Sequence, residues 1–290
     1  MSSVAVAFIL VLGTATPGGG FPVYGAAFSE MVNAQEPRLR IETRNTKGSA
    51  ENVPLLEAGK LDLGLVAGEF ASAALAKPGT GLRIVAAMYA SAGMFMVRAD
   101  SPVRSFADLK GKPVVFGATG SGITALGRAV LQSLEIPVAE IVLEKVADGP
   151  PMLQEGRAAA LWGAGVGWPA FAAIAKAGGR FIAPNEDEVK RILARLPSLK
   201  AVTLPAGSYP GQASALSSVG SWSFVFARPG LSEELGYLLA RAAHRAEGPL
   251  AARLDQAKET TAANTVAAAP RAELIHPGAQ KYLREAGLLK

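Results

Sequence analysis

The chain has 290 residues, half of them hydrophobic and 18% charged, so it is long enough for two domains and too apolar for a disordered protein. It contains no cysteine, which excludes disulfides, thiolate metal sites and a cysteine nucleophile. The net charge of +5 suits an anionic ligand. However, the basic residues nowhere form a run of three, and we therefore expect no nucleic-acid binding.

The N-terminal segment contains the longest apolar run, Val4–Leu12, which is much shorter than the ~20 residues that span a bilayer. Within it, Ala5-Val6-Ala7 resembles the end of a signal-peptide cleavage site, although no basic segment or long apolar stretch precedes it. We interpret the triplet as the remainder of a trimmed signal peptide. The alternative is that it is simply part of the first strand.

Short apolar strands alternate with amphipathic helices, which is typical of an α/β fold with mainly parallel sheets. In the first part of the chain the pattern predicts four strands, at Phe8–Leu12, Leu39–Thr43, Leu61–Val66 and Leu82–Met88. One helix follows the first strand and carries a face of Tyr24, Ala27, Phe28 and Met31. A second helix is predicted from an N-cap at Ser49 to a stop at Gly59.

The pattern restarts after Pro102. Strands are predicted at Val114–Phe116, Ile141–Leu143, Ala159–Trp162, Arg180–Ala183 and Ser221–Ala227. Helices are predicted over 123–134, after Asp148, after Trp168, over 187–196, after the cap Ser232 and over 282–289. Two restarting halves predict two lobes and a cleft. In parallel α/β sheets, ligands bind beyond the carboxyl ends of the strands.

A glycine-rich loop follows the first predicted strand, over residues 13–25 (GTATPGGGFPVYG). Its consecutive glycines, which include Gly19 and Gly20, permit close backbone approach just before a helix, where free N–H groups bind anions. Thr14 and Thr16 add hydroxyl groups. We interpret the loop as part of a ligand site rather than a flexible connector.

A second loop of the same form, GATGSGITA, covers residues 117–125 in the other half. Gly120, Ser121 and Gly122 begin its helix, with Thr119 and Thr124 beside them. A carboxylate held here and a second group held at the first loop would clamp one small ligand between the lobes.

The second loop also matches a dinucleotide-binding pattern. Gly120-x-Gly122-x-x-Ala125 follows a strand, and Glu144 lies near the end of the next strand. The alternative function is therefore an NAD(P)-dependent oxidoreductase. Other signs of catalysis are lacking: His244 is expected at the surface, His276 in a turn, and neither a metal-ligand set nor a Gly-x-Ser-x-Gly motif occurs. We expect no enzyme, no metal and no cofactor.

A third segment, LWGAGVGWPAF over 161–171, places alternating glycines between a strand and a helix. Gly165 leaves room for a ligand, and Trp168 is predicted to form an apolar wall of the site. For Trp162, a place in the core and a place in that wall are equally consistent with the pattern. Glu69 follows a strand end, where a position in the cleft and a solvated loop are both open.

These segments resemble the TAXI family, the extracytoplasmic solute receptors of tripartite ATP-independent periplasmic (TRAP) transporters. The resemblance is carried by Gly13-Thr14, residues 46–66 (TKGSAENVPLLEAGKLDLGLV), 108–122 (DLKGKPVVFGATGSG), 163–170 (GAGVGWPA) and 276–288 (HPGAQKYLREAGL). It implies a type II periplasmic-binding-protein fold with two crossover strands as a hinge. Lobe I would comprise 1–97 plus 219–290, and lobe II 98–218.

The resemblance also implies a function. A periplasmic, monomeric receptor would capture a small organic anion (an amino acid, a dicarboxylate or a keto acid) and deliver it to ion-driven TRAP membrane subunits. The chain departs from the family where relatives have Tyr-Tyr-Pro, because it has Phe21-Pro22-Val23 followed by Tyr24. We predict ligand contacts from Thr14, Thr16, Gly19, Gly20, Tyr24, Asn45, Glu69, Tyr89, Thr119, Gly120, Ser121, Gly122, Gly165 and Trp168.

Overall fold

The computed structural model describes residues 8–290, so the triplet Ala5-Val6-Ala7 lies outside the described residues. The strands are β1 (Phe8–Gly13), β2 (Leu39–Arg44), β3 (Leu63–Val66), β4 (Arg83–Ala90), β5 (Gly93–Val97), β6 (Pro113–Ala118), β7 (Ala139–Leu143), β8 (Ala160–Ala164), β9 (Arg180–Ile182), β10 (Lys200–Leu204), β11 (Leu216–Gly220) and β12 (Trp222–Ala227).

The α-helices are α1 (Gly20–Gln35), α2 (Ser49–Glu57), α3 (Gly68–Ala76), α4 (Gly122–Leu134), α5 (Gly149–Gln154), α6 (Pro169–Lys176), α7 (Glu186–Arg195), α8 (Glu233–Arg253), α9 (Ala262–Ala268) and α10 (Pro277–Glu285). Short 3₁₀ turns lie at Ala107–Leu109, Val146–Asp148, Asp255–Glu259 and Ala272–Leu274. In the described part of the chain, no helix is both long and apolar enough to cross a bilayer.

Two helix starts differ from the predictions. Ser49 is the first residue of α2 rather than its cap, because Gly48 occupies the N-cap with a φ of 99°. The Ser49 hydroxyl instead accepts the N–H of Ala67 at 3.0 Å. The C-terminal helix begins at Pro277, five residues before the predicted start, because the buried His276 side chain caps it by accepting the N–H of Gly278 at 3.2 Å. The caps predicted at Gly59 and Ser232 are confirmed.

The first sheet has the order β2-β1-β3-β12-β4. Strands β2, β1 and β3 run parallel, whereas β12 is antiparallel to both of its neighbours. Helices α1 and α8 cover one face through a core that contains Tyr24, Phe28, Leu238 and Leu239. Helices α2 and α3 cover the opposite face. The predicted amphipathic face of α1 is therefore the face that packs on the sheet.

The second sheet has the order β10-β11-β5-β8-β6-β7, and β9 pairs with β5. Strands β8, β6 and β7 run parallel, and the remaining pairs are antiparallel. Both sheets are thus mixed rather than mainly parallel. Strand β12 in the first sheet and strands β5 and β11 in the second run antiparallel to the strands they pair with.

The chain passes between the sheets twice, at residues 91–92 and at residue 221. Strand β5 belongs to the second sheet, so the predicted boundary at residue 97 falls several residues beyond the passage. The division into 1–97 plus 219–290 and 98–218 stays a prediction. A Cβ atom built on Gly220 would lie 2.0 Å from the carbonyl oxygen of Ser91, so the two passages are in direct contact.

Candidate functional site

A cavity of about 100 Å³ lies between the two sheets, at the carboxyl ends of their parallel strands. Residues at the starts of five helices, α1, α2, α3, α4 and α6, line it. Each of these helices follows a strand whose carboxyl end faces the cavity region, as expected for parallel α/β units. Because the free N–H groups of a helix start carry partial positive charge, the arrangement favours an anionic group in the cavity.

The first glycine loop contributes one wall. Thr16, Gly19, Gly20 and Phe21 line the cavity where α1 begins. A Cβ atom on Gly20 would lie 3.6 Å from Cδ1 of Trp168 and 3.8 Å from the Tyr89 hydroxyl. The missing side chain therefore leaves the start of α1 open toward both aromatic rings.

The starts of α2, α3 and α4 meet at the opposite wall. The carbonyl oxygen of Gly120 accepts the N–H of Ala50 at 3.2 Å, which joins the second glycine loop to the first turn of α2. A Cβ atom on Gly122 would lie 2.1 Å from Cβ of Ala67, so only glycine permits this contact. The N–H groups of Gly122 and Ile123 make no hydrogen bond to protein atoms within residues 8–290.

Trp168 lies at the start of α6 and is 7% exposed. The hydroxyl of Tyr209 accepts the Trp168 N–H at 2.8 Å and donates to the carbonyl of Gly165 at 2.9 Å. The indole also meets Phe171 edge to face, with 4.9 Å between ring centroids. These contacts fix the indole as a rigid apolar wall. Trp162, by contrast, is fully buried and donates to the carbonyl of Ile123 at 2.7 Å, so it belongs to the core.

Glu69 lies in the first turn of α3 and lines the cavity. The Ser221 hydroxyl donates to its carboxylate at 2.7 Å. Burial raises the pKa of Glu69 above its ordinary value, while the hydrogen bonds from Ser221 and from its own backbone N–H oppose that shift. The alternative interpretation, that Glu69 lies in a solvated loop, is therefore wrong.

Tyr89 projects from the end of β4 and is 5% exposed. Its hydroxyl lines the cavity and makes no hydrogen bond to any residue of the described chain 8–290. Burial, together with the neighbouring Tyr24, raises the pKa of Tyr89 far above its ordinary value, so the phenol is neutral at every physiological pH. A neutral hydroxyl that lines the cavity and has no partner within residues 8–290 is suited to bind a ligand.

Eight of the predicted contact residues line this cavity, namely Thr16, Gly19, Gly20, Glu69, Tyr89, Ser121, Gly122 and Trp168. Whether they contact a ligand stays a prediction. Sequence reasoning missed several polar lining residues, namely Ser49, Ser91, Ser221, Ser223 and Gln256. Ser91 and Ser221 belong to the two passages between the sheets, and their neighbours along the chain contain no motif that marks them.

Three predicted contacts have structural roles instead. Tyr24 is fully buried in the core of the first sheet, and its hydroxyl pairs with Thr260 at 3.1 Å. Thr14 is also fully buried and donates to the carbonyl of Arg44 at 3.1 Å and to Asn45 at 3.4 Å. Thr14 and Asn45 thus join the ends of β1 and β2, because these parallel strands are neighbours.

The other three predicted contacts, Thr119, Gly120 and Gly165, lie next to the cavity without lining it. Thr119 is exposed. Gly120 and Gly165 both have positive φ, 79° and 82°, which reverses the chain at the ends of β6 and β8. Their conformations place the following residues, Ser121 and Trp168, at the cavity.

The structure disfavours the dinucleotide alternative. A dinucleotide would have to fit at the start of α4, where the cavity has a volume of only about 100 Å³. The histidines offer no base: His276 is buried as a helix cap, and His244 contacts Tyr282 at 2.7 Å away from the cavity. Among the described residues, no group of three or more histidine, aspartate or glutamate side chains could hold a metal ion.

The two mixed sheets, the double passage and the cavity between them define the periplasmic-binding-protein fold. A family model matches residues 12–287, and the chain belongs to the NMT1-like family. Among similar solved structures, MatC from Rhodopseudomonas palustris with bound malate has a TM-score of 0.62 at 16% identity, covering 97% of this chain and 96% of that chain.

Two further structures share the fold. A TctC solute-binding protein from Polaromonas has a TM-score of 0.52 at 17% identity, covering 87% of this chain and 89% of that chain. An ancestral arginine-binding protein bound to arginine has a TM-score of 0.51 at 15% identity, covering 87% and 99%.

Proposed function

We propose that this protein is an extracytoplasmic solute receptor that captures a small organic anion in the cavity between its sheets. The observation that carries the proposal is the meeting of five helix starts at one cavity, with walls from both sheets. Such a site binds an anion through backbone N–H groups and hydroxyls. The family and the fold of the neighbours support the same role.

The cavity also indicates the size of the ligand. An engineered cavity of about 150 Å³ holds benzene, so about 100 Å³ suits a molecule with few non-hydrogen atoms. The smallest amino acids and keto acids have about this size, larger organic anions need the two sheets to move apart, and a dinucleotide is far too large.

The membrane partner in this proposal is a TRAP transporter, and the location is the periplasm. Both rest on the resemblance of residues 46–66 and 108–122 to the TAXI receptors. We place the lobe boundaries in the passages at 91–92 and 221, where the chain changes sheet. A receptor of this kind transfers its ligand to membrane subunits and needs no catalytic group of its own.

A thermal-shift screen of the purified protein against amino acids, dicarboxylates and keto acids tests the proposal. Binding to the folded state alone stabilises it by about 2.7 kcal/mol when the ligand is at a hundredfold excess over Kd. We expect a saturable rise in Tm with at least one organic anion, and no shift with NAD or NADP at millimolar concentration. No shift with any amino acid, dicarboxylate or keto acid, or a saturable nicotinamide shift, would refute the receptor function.

A further inference from the structure

Glu69 is the one charged side chain in the cavity lining: within residues 8–290, no lysine, arginine or histidine lines it. No salt bridge of the described chain includes Glu69, and its contact with Ser221 is a hydrogen bond from a neutral hydroxyl. The other titratable lining side chain is Tyr89, which is uncharged. A partly buried carboxylate without a counter-charge is unfavourable, and a cationic ligand group would relieve that cost.

The same cavity also offers groups suited to an anion. The free N–H groups of Gly122 and Ile123 are at the start of α4, and the unpaired Tyr89 hydroxyl is at the end of β4. Helix starts favour carboxylates, and a neutral hydroxyl in the cavity wall donates to them. One cavity therefore combines partners for a carboxylate with a negative side chain.

We propose that Glu69 binds an ammonium group of the ligand, so that the cavity selects α-amino acids over dicarboxylates and keto acids. This inference rests on the proposed function and names the ligand class of the same cavity. An α-amino acid pairs its ammonium with Glu69 and its carboxylate with the helix starts. The apolar lining at Phe21, Ile123 and Trp168 is available to its side chain.

The competing ligands meet the same carboxylate less favourably. A dicarboxylate brings a further negative charge into a cavity that contains Glu69 and no cationic side chain, and like charges in one site repel. A keto acid has no hydrogen to donate to Glu69, so the carboxylate would lose solvation without gaining a partner. A 2-hydroxy acid donates one neutral hydrogen bond and should fall between these cases.

Isothermal titration with matched ligands tests this selection. The panel contains alanine, valine, serine, glutamine and glutamate, the 2-oxo and 2-hydroxy acids of the same carbon skeletons, and succinate and malate. We expect at least one amino acid to bind at least 100-fold more tightly than its 2-oxo analogue. Glu69→Gln should weaken that amino acid at least 30-fold and reduce the discrimination to below tenfold.

Two variants control for charge and for folding. Glu30→Gln removes the same charge at an exposed position of α1 and should leave both affinities unchanged. Glu69→Asp keeps the carboxylate and should retain the preference for the amino acid at reduced affinity. Melting curves followed by circular dichroism establish that each variant is folded before titration.

Several results would overturn the assignment. If a dicarboxylate or 2-oxo acid binds as tightly as every amino acid, or if Glu69→Gln keeps the full discrimination, Glu69 does not select an ammonium group. An affinity for an anion that increases as the pH falls, and that Glu69→Gln preserves, would show a protonated Glu69 acting as a donor instead. Binding of an anion other than an amino acid leaves the receptor function intact, whereas a failure of every solute to bind removes both proposals.

Discussion

The Ser121 hydroxyl accepts the N–H of Thr124 at 3.3 Å and thereby caps α4 while lining the cavity. It also lies 3.0 Å from the Thr124 hydroxyl. Because that hydroxyl donates its own hydrogen to the carbonyl of Ala118, Ser121 is the donor in the contact between the two side chains. Ser121 is therefore held in place before any ligand arrives.

Ser121→Ala should weaken both the fold and the site. Loss of the cap costs about 1 kcal/mol of unfolding free energy. A ligand carboxylate at Ser121 would take the hydroxyl hydrogen that otherwise goes to the Thr124 hydroxyl. Loss of that donor should raise Kd about 5- to 150-fold, equivalent to about 1–3 kcal/mol. Denaturant unfolding and isothermal titration measure the two effects separately.

Ser232→Ala is the matched control. Ser232 caps α8 in the same way, by accepting the N–H of Leu235 at 3.3 Å, and it does not line the cavity. It should lose a similar amount of stability and keep the wild-type Kd. An unchanged Kd in Ser121→Ala would remove Ser121 from the ligand site.

Glu69 should also affect the stability of the ligand-free protein. Burial raises its pKa in the folded state, so the folded protein holds the proton more tightly than the unfolded chain does. Stability attributable to this group is therefore highest below its ordinary pKa of 4.5 and falls as the pH rises through the raised value.

Glu69→Gln removes this pH-dependent cost. The Tm of Glu69→Gln minus the Tm of wild type should increase as the pH is raised from 4 toward 7. Ligand binding by the variant should be weakened. Thermal melts across that range, with Glu30→Gln as the exposed-charge control, measure the difference. A Tm difference that stays constant with pH would mean that Glu69 titrates alike in both states.

At the scale of elements, helix α8 shows how glycine positions decide packing. A Cβ atom on Gly236 would lie 1.9 Å from Nδ1 of His276, the residue that caps α10. The imidazole cannot move away freely, because it is buried and its Nε2 lies 3.0 Å from the carbonyl oxygen of Leu231. The absent side chain thus lets the start of α10 pack directly on α8.

Gly236→Ala should therefore destabilise the protein, by about 1–3 kcal/mol for forced overpacking. Gly248→Ala, in the same helix, is the control, because no atom of another element of residues 8–290 lies within 4 Å of its added Cβ atom. Helix propensity favours alanine there by about 0.5–1 kcal/mol. Pro249 follows directly and disfavours helical backbone at a preceding residue with a Cβ atom, so the net change in stability should be small. Urea unfolding of the pair measures the contrast, and equal changes in both variants would contradict the packing argument.

At the scale of the whole molecule, ligand binding should bring the two sheets together. Lining residues come from both: Thr16 and Gly20 follow β1 in the first sheet, whereas Ser121 and Trp168 follow β6 and β8 in the second. A ligand that contacts both walls favours a closed arrangement by its difference in affinity for the two arrangements. The two adjacent passages at 91–92 and 221 are the expected hinge.

Small-angle scattering with and without the ligand identified by the screen measures this motion. We expect a smaller radius of gyration in the bound protein. Identical scattering, together with a complex in which the ligand contacts residues of one sheet only, would show that the two glycine loops do not clamp one ligand.

Local patterns in the sequence were sufficient for much of the fold and for part of the site. Alternating apolar strands and helices predicted an α/β fold, which is confirmed. The glycine-rich loops between a strand and a helix correctly predicted that Gly19, Gly20, Ser121 and Gly122 lie at the cavity. This was possible because such a loop places the helix start that immediately follows it. Tyr24 was predicted as a ligand contact because it lies near the glycine loop. Its helical spacing from Phe28, however, already indicated the core face of α1, which is where it packs.

Tertiary structure alone decided which distant segments share the cavity. Ser221 reaches Glu69 because β12 inserts between β3 and β4, across about 150 residues of chain. Ser91 lies at the cavity because the chain changes sheet beside it. The position of each serine follows from the order of the strands in the sheets. That order depends on how whole helices and sheets pack, so no residues next to Ser91 or Ser221 in the sequence mark them as part of the cavity. For the same reason, only the folded structure shows that no cationic side chain of residues 8–290 lines the cavity beside Glu69, on which the proposed ligand class rests.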